Sequence, residues 1–159
     1  MPTSINVHGT IAGYYGDSNF VEHGFVRDRE GNIATFDVPG AANTFAYRIN
    51  AGGKIVGWYT DTAQNMNAFA RDPSGELSVL PGGQSCSAVG INERGAIILS
   101  CGAGPFLRRP DGALKPIELP HDCLSDQINR EIPTAINSTG VVAGLCATAT
   151  GNRGWVGMP

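Results

Sequence analysis

The dipeptide Ile-Asn recurs four times at nearly even steps, and this recurrence constrains the fold more than any other feature. It stands at Ile5-Asn6, Ile49-Asn50, Ile91-Asn92 and Ile136-Asn137, with spacings of 44, 42 and 45 residues. Three residues after each asparagine comes a glycine: Gly9, Gly53, Gly95 and Gly140. A short apolar run succeeds it, such as Ile55-Val56-Gly57 or Ile97-Ile98-Leu99. Asn-x-x-Gly between apolar runs predicts a hairpin turn, because Asn and Gly tolerate positive φ. Ile128-Asn129 repeats the dipeptide but lacks the glycine three positions on.

A second block comes after each turn. A small residue and an aromatic lead it: Gly24-Phe25, Ala68-Phe69, Pro105-Phe106 and Gly154-Trp155. In three units an arginine comes two residues later, at Arg27, Arg71 and Arg108. A polar turn ending in glycine comes next, then a strand closed by Pro39, Pro81 or Pro120. The fourth unit stops short of this last strand. No segment keeps a helical period of 3.6. Each unit of about 43 residues therefore holds four short strands, the period of a β-propeller blade. The expected fold is all-β, one propeller-like repeat domain over 1–159. Its units span roughly 1–43, 44–85, 86–129 and 130–159, the last lacking a strand. About fifteen strands fit a four-bladed ring with one thin blade, or half of a larger ring completed by a second chain. A non-propeller barrel or a stacked β array is the alternative.

The pattern resembles the HAF-type extracellular repeat family. The likeness rests on the Ile-Asn-x-x-Gly turn, the tract Ile55-Val56-Gly57-Trp58-Tyr59-Thr60-Asp61, the triplet His23-Gly24-Phe25, and Thr35-Phe36-Asp37-Val38-Pro39-Gly40-Ala41. It covers nearly the whole chain. The third and fourth units depart from it, with Gly104-Pro105-Phe106 and Arg153-Gly154-Trp155 in place of the triplet. The resemblance implies a secreted or envelope β-repeat protein and brings no established reaction.

All four cysteines lie in the second half, and their spacings do not suit zinc. Cys101 and Cys146 each stand ten residues after a motif isoleucine, where the first two units carry Tyr15 and Tyr59. Cys86 and Cys101 are placed symmetrically about Glu93-Arg94, so they should face each other across a hairpin. Cys123 should reach Cys146 in the same way. The expected pairs are Cys86–Cys101 and Cys123–Cys146, which imply a periplasmic or secreted protein. Four reduced, buried cysteines in a cytosolic protein are the alternative. No secretory leader is visible after Met1, so the sequence is expected to start at a mature protein.

Composition excludes several function classes. The formal charge is −3, and nucleic-acid binding needs a basic face. No apolar run reaches the length of a membrane span. Charged residues make up only 16%, too few for a disordered chain. No Gly-x-Ser-x-Gly elbow and no phosphate-binding glycine loop is present, so no cofactor is expected.

Candidate site residues come from the repeat. Tyr14 and Trp58 are equivalent, as are Tyr15 and Tyr59; such aromatics stack on sugar rings or simply pack between blades. Asp17 and Asp61 form a second matched pair. They could bind hydroxyls, act as acid and base, or end a strand in a turn. His23, replaced by Asn67 in unit two, is a candidate base or a turn residue. The longest linker carries His121, Asp122, Asp126, Asn129 and Glu131, which supply metal-type ligands but in no known metal spacing. The three arginines are expected to do structural work. The leading functional expectation is a secreted module binding a carbohydrate or other small polar ligand, through Tyr14, Tyr15, Trp58, Tyr59, Asp17 and Asp61. The alternatives are a hydrolase or lyase using Asp17, Asp61 and His23, and a structural domain with no small ligand. A homodimer completing a larger ring is a further expectation.

Overall fold

The computed structural model describes residues 1–121, 123, 131–149 and 151–157. Fifteen strands and no helix are present among them: β1 (Pro2–Ile5), β2 (Ile11–Gly16), β3 (Glu22–Arg27), β4 (Ile33–Phe36), β5 (Ala41–Ile49), β6 (Ile55–Asp61), β7 (Met66–Arg71), β8 (Leu77–Gln84), β9 (Cys86–Ile91), β10 (Ile97–Cys101), β11 (Gly104–Arg108), β12 (Leu114–Pro116), β13 (Glu131–Ile136), β14 (Val142–Thr148) and β15 (Gly151–Gly157). They form four antiparallel sheets in chain order, β1–β4, β5–β8, β9–β12 and β13–β15. Each sheet contains one Asn-x-x-Gly motif turn, and the second sheet begins at Ala41, inside the span expected for the first unit. Among the described residues the fourth sheet has three strands.

The motif turn joins the first two strands of every sheet. Its asparagine Oδ1 accepts backbone N–H groups from inside the turn: Thr10 on Asn6, Lys54 on Asn50, Ala96 on Asn92 and Val141 on Asn137, all at 2.9–3.0 Å. The glycine that closes the turn sits at φ of +80 to +95° in all four, a conformation costly for any residue with a Cβ. That is why asparagine and glycine hold their spacing while the residues between them vary.

A feature the sequence did not announce precedes each turn. The first strand of every sheet carries a bulge two residues before the motif isoleucine, at Thr3, Tyr47, Val89 and Thr134. A bulge sets two residues against one and shifts the register by one. In the third sheet the pairs run Ile91 with Ile97 and Gly90 with Ile98, then Ala88 with Leu99. Unbroken pairing would have put Cys101 opposite Ser87. The bulge instead sets it opposite Cys86, and the two are disulfide-bonded with Cα atoms 4.1 Å apart.

The second disulfide also forms, Cys123–Cys146, with Cα atoms 5.6 Å apart. It does not take the expected route across a hairpin. The register partner of Cys146 is Glu131, and Cys123 comes from the linker after β12. Both join the apolar cluster around Ile98, Leu107, Ile117 and Trp155 between the third and fourth sheets. This bridge therefore ties the linker to a middle strand. Two disulfides are consistent with an oxidising, extracellular or periplasmic setting.

The outer strands also differ from expectation at their ends. β8 runs through Pro81 to Gln84, and β4 stops before Pro39. Proline is tolerated in β8 because an outer strand has one unpaired side.

The sheets stack face on face. β5 packs across β1–β3, β9 across β5–β7, and β13 across β9–β11. Small or branched side chains fill each seam: Ala12, Ala46, Ile49 and Ile55 in the first, Val56, Ala68, Ala70, Leu80, Ala88, Ile97 and Leu99 in the second. Among the described residues the fourth sheet has no comparable packing onto the first. No helix is long and apolar enough to cross a membrane among the described residues.

Candidate functional site

The expected residues separate into two places. Tyr14 and Trp58 belong to an aromatic cluster that joins the first two sheets. Phe45 stacks on Trp58 with centroids 5.3 Å apart, and Tyr47 leans on the same indole at 5.2 Å. Tyr14 meets Phe45 edge-on at 5.1 Å. The Arg48 guanidinium lies 4.1 Å from the centre of the Tyr47 ring. These rings spend their faces on one another, so packing explains them. Phe45 and Tyr47 lie on the inner strand outside the repeated motifs, and sequence reasoning passed over them.

The second place is the end of the first sheet where β2 turns into β3. Tyr15 pairs in register with His23, and their rings lie 5.3 Å apart. His23 Nδ1–H donates to both carboxylate oxygens of Asp37, at 2.9 and 3.0 Å. Asp17 Oδ2 lies 3.7 Å from His23 Nε2 on the other side. Asp17 also organises the turn. Its Oδ1 accepts the N–H groups of Asn19 and Val21 at 2.8 and 2.9 Å. Phe20, at the tip of that turn, has φ of +62° and is 92% exposed. Positive φ is uncommon outside glycine. Tyr15 is 40% exposed.

Asp61 makes the equivalent turn in the second sheet. It accepts from Ala63 and Asn65 backbone N–H groups and from the Asn65 side chain, at 2.8–2.9 Å. Asn67 replaces His23 there, and no counterpart of Asp37 faces it. Tyr59 is half-buried opposite Asn67. The two aspartates thus share a turn-capping role, and only Asp17 has a histidine beside it. Asp37 is the residue sequence reasoning missed. The available signal was departure from the repeat, since His23 and Asp37 both break the pattern of the other units.

Electrostatics are set by these contacts. The hydrogen bond that His23 donates to Asp37, opposed by partial desolvation, raises His23 above the ordinary imidazole value, with Asp17 adding less. Backbone donation from Val21 chiefly holds Asp17 below the usual carboxylate value, and the Asn65 side chain does so for Asp61. The fold therefore favours protonated His23. Its contribution to stability is full below the unfolded-state pKa of about 6.5 and is lost as pH rises through the raised folded value. In an NMR titration of the imidazole, Asp37→Asn should lower the His23 pKa more than Asp17→Asn. Equal shifts would contradict this assignment.

Of the linker residues, His121 is exposed. Asp122, Asp126 and Asn129 lie outside the described residues. Glu131 opens β13. Among the described residues no group of three His, Cys, Asp or Glu side chains could hold a metal ion. The arginines have structural surroundings. Arg27, Arg71 and Arg108 each lay the guanidinium beside the glycine of the next turn, Gly31, Gly75 and Gly112. Arg71 also lies 5.0 Å from the centre of the Phe36 ring in the first sheet.

No family model matches the chain, and no curated protein matches it. A solved structure does resemble it: a catalytically inactive histidine-to-alanine form of virginiamycin B lyase from Staphylococcus aureus, with quinupristin. The alignment covers 97% of this chain and 55% of that one, with a TM-score of 0.51 and 17% identity. At that identity the likeness speaks for the fold alone. The chain is all-β and propeller-like, and it spans about half the length of that lyase.

Proposed function

We propose that the chain is a binding module of propeller-like architecture, acting in an oxidising compartment. Its ligand is polyhydroxylated, a carbohydrate or close analogue, held at the β2–β3 end of the first sheet. One observation carries the proposal. Exposed Tyr15 lies against a histidine approached by a carboxylate on each side, and exposed Phe20 stands at the tip of the turn that Asp17 ties. An aromatic face takes the apolar side of a sugar ring, while carboxylates accept from its hydroxyls. The partly exposed Asp37 carboxylate keeps acceptor capacity after meeting one imidazole N–H. Tyr59 and Asp61 form the poorer copy in the second sheet.

The test is an NMR chemical-shift titration with soluble cello-, chito-, malto- and xylo-oligosaccharides. Shifts should centre on Tyr15, Phe20 and His23 for one of them. Tyr15→Ala and Phe20→Ala should each weaken binding about tenfold, a loss of about 1.4 kcal/mol. Trp58→Phe should bind normally. Shifts centred elsewhere, or none with any of the four, count against the site.

One observation favours a second reading, a lyase or hydrolase. A histidine oriented by one carboxylate and approached by another is an acid–base arrangement, and the resembling structure is a lyase inactivated by loss of a histidine. Product release from the same oligosaccharides, abolished by His23→Ala, would select this reading over simple binding.

A further inference from the structure

The four motif asparagines form a relay with a direction. Asn6 Nδ2 donates to the Asn50 carbonyl at 3.2 Å, Asn50 Nδ2 to the Asn92 carbonyl at 3.1 Å, and Asn92 Nδ2 to the Asn137 carbonyl at 3.0 Å. Each sheet gives a donor to the next one. Each carbonyl also accepts the N–H of its own turn glycine, so the relay uses its second lone pair. The two ends are therefore unequal and complementary. Asn137 Nδ2 has no acceptor among the described residues, and the Asn6 carbonyl receives no relay donor.

The apolar faces have the same polarity. Ala70 pairs with Val56, Leu107 with Ile98, and Val156 with Ala143. These are equivalent positions on the face each sheet turns to its successor. Ala70 is 2% and Leu107 5% exposed, because a further sheet covers them, whereas Val156 is 71% exposed. Leu145, on the same face, is also exposed. At the other end the motif isoleucine repeats the contrast. Ile49 is buried, Ile91 and Ile136 pack into the seams, and Ile5 is exposed. One side of the seam used three times within the chain is thus left bare on the last sheet, and the opposite side on the first.

We propose that a second copy of the chain covers both faces, head to tail. Asn137 of each copy donates to the Asn6 carbonyl of the other, and Leu145 and Val156 cover Ile5. Two copies joined this way share two identical heterologous seams, which close a ring of eight sheets about a two-fold axis. The continuity of the seam already built three times names the occupant. The proposal does not depend on the ligand site at the β2–β3 turn.

Sedimentation equilibrium of the full, oxidised chain over a range of concentrations tests it. The wild type should reach a closed dimer. Ile5→Asp and Val156→Asp each damage both seams and should weaken dimerisation at least about 100-fold; Asn137→Ala should weaken it about tenfold. Both aspartates replace exposed residues, so far-UV circular dichroism should remain that of the wild type. An equimolar mixture of Ile5→Asp and Val156→Asp keeps one wild-type seam per heterodimer. It should dimerise more strongly than either variant alone. A face-to-face dimer that pairs like with like gives no such rescue and overturns the proposal. A wild type that stays monomeric, or forms a ladder of species beyond the dimer, also overturns it.

Discussion

Gly57→Ala should cost about 3 kcal/mol, at the upper end for overpacking a well-filled interior. Gly57 sits in the middle of β6, opposite Ala46 and Phe69. A Cβ added there would overlap the Phe45 carbonyl oxygen and come within 3.1 Å of Phe69 Cε1. The oxygen belongs to the backbone of the inner strand, and Phe45 stacks on Trp58. Moving that strand would disturb both the aromatic cluster and the seam to the first sheet. Leu99 fills the same position of the third sheet and is fully buried. The close approach is shared with the first sheet, where a Cβ on the equivalent Gly13 would likewise overlap a backbone carbonyl oxygen, that of Met1, and is absent from the third. Gly102→Ala is the matched control, because nothing lies within 4 Å of a Cβ there; it should change stability by less than about 0.5 kcal/mol. Urea unfolding of the oxidised proteins checks both. Similar midpoints for the two variants would refute the account.

Asn92→Ala should cost a comparable amount, about 3 kcal/mol. The side chain is 5% exposed and makes three hydrogen bonds. Its Oδ1 accepts from Arg94 and Ala96, and its Nδ2 donates to the Asn137 carbonyl. Alanine leaves a buried N–H without a partner and removes the link to the next sheet. Asn137 caps its own turn the same way, but it is less buried and has no onward bond among the described residues. Asn137→Ala should cost only about 1 kcal/mol, the usual loss of a capping side chain. Denaturant midpoints of the two variants in the monomeric Val156→Asp background, which removes any contribution from assembly, provide the comparison. Equal losses would mean that the relay between sheets adds nothing to the turn.

Much of this architecture was legible in the sequence. The Asn-x-x-Gly turns, the all-β architecture and the Cys86–Cys101 bridge all came from spacing, because turn chemistry is local. The bulges were not legible. Thr3, Tyr47, Val89 and Thr134 share a position, but their only common character is that of ordinary strand residues, so nothing in residue type marks the shift. The route of Cys123 was hidden for another reason. It comes from a linker, where no register constrains the approach. At the candidate site, comparison between units found His23, Tyr15 and Asp17 through their equivalents. Asp37 has no equivalent, and only folding brings it to the histidine fourteen positions away. Phe20 stood out in no pattern, and its exposure emerges only from the turn that Asp17 ties.

The relay has an evolutionary consequence. Every acceptor in it is a peptide carbonyl, which any residue supplies, and the donor needs only one asparagine. A unit copied or spliced into such a chain meets its neighbours' demands without a matching change in them. The surrounding side chains are then at liberty to drift. Ser100 and Leu145 stand where the second unit has Trp58, and Cys101 and Cys146 where the first two units have Tyr15 and Tyr59, while the asparagine is common to all four. Growth by duplication is thus cheap here, and chemical novelty accumulates at whichever copy departs first.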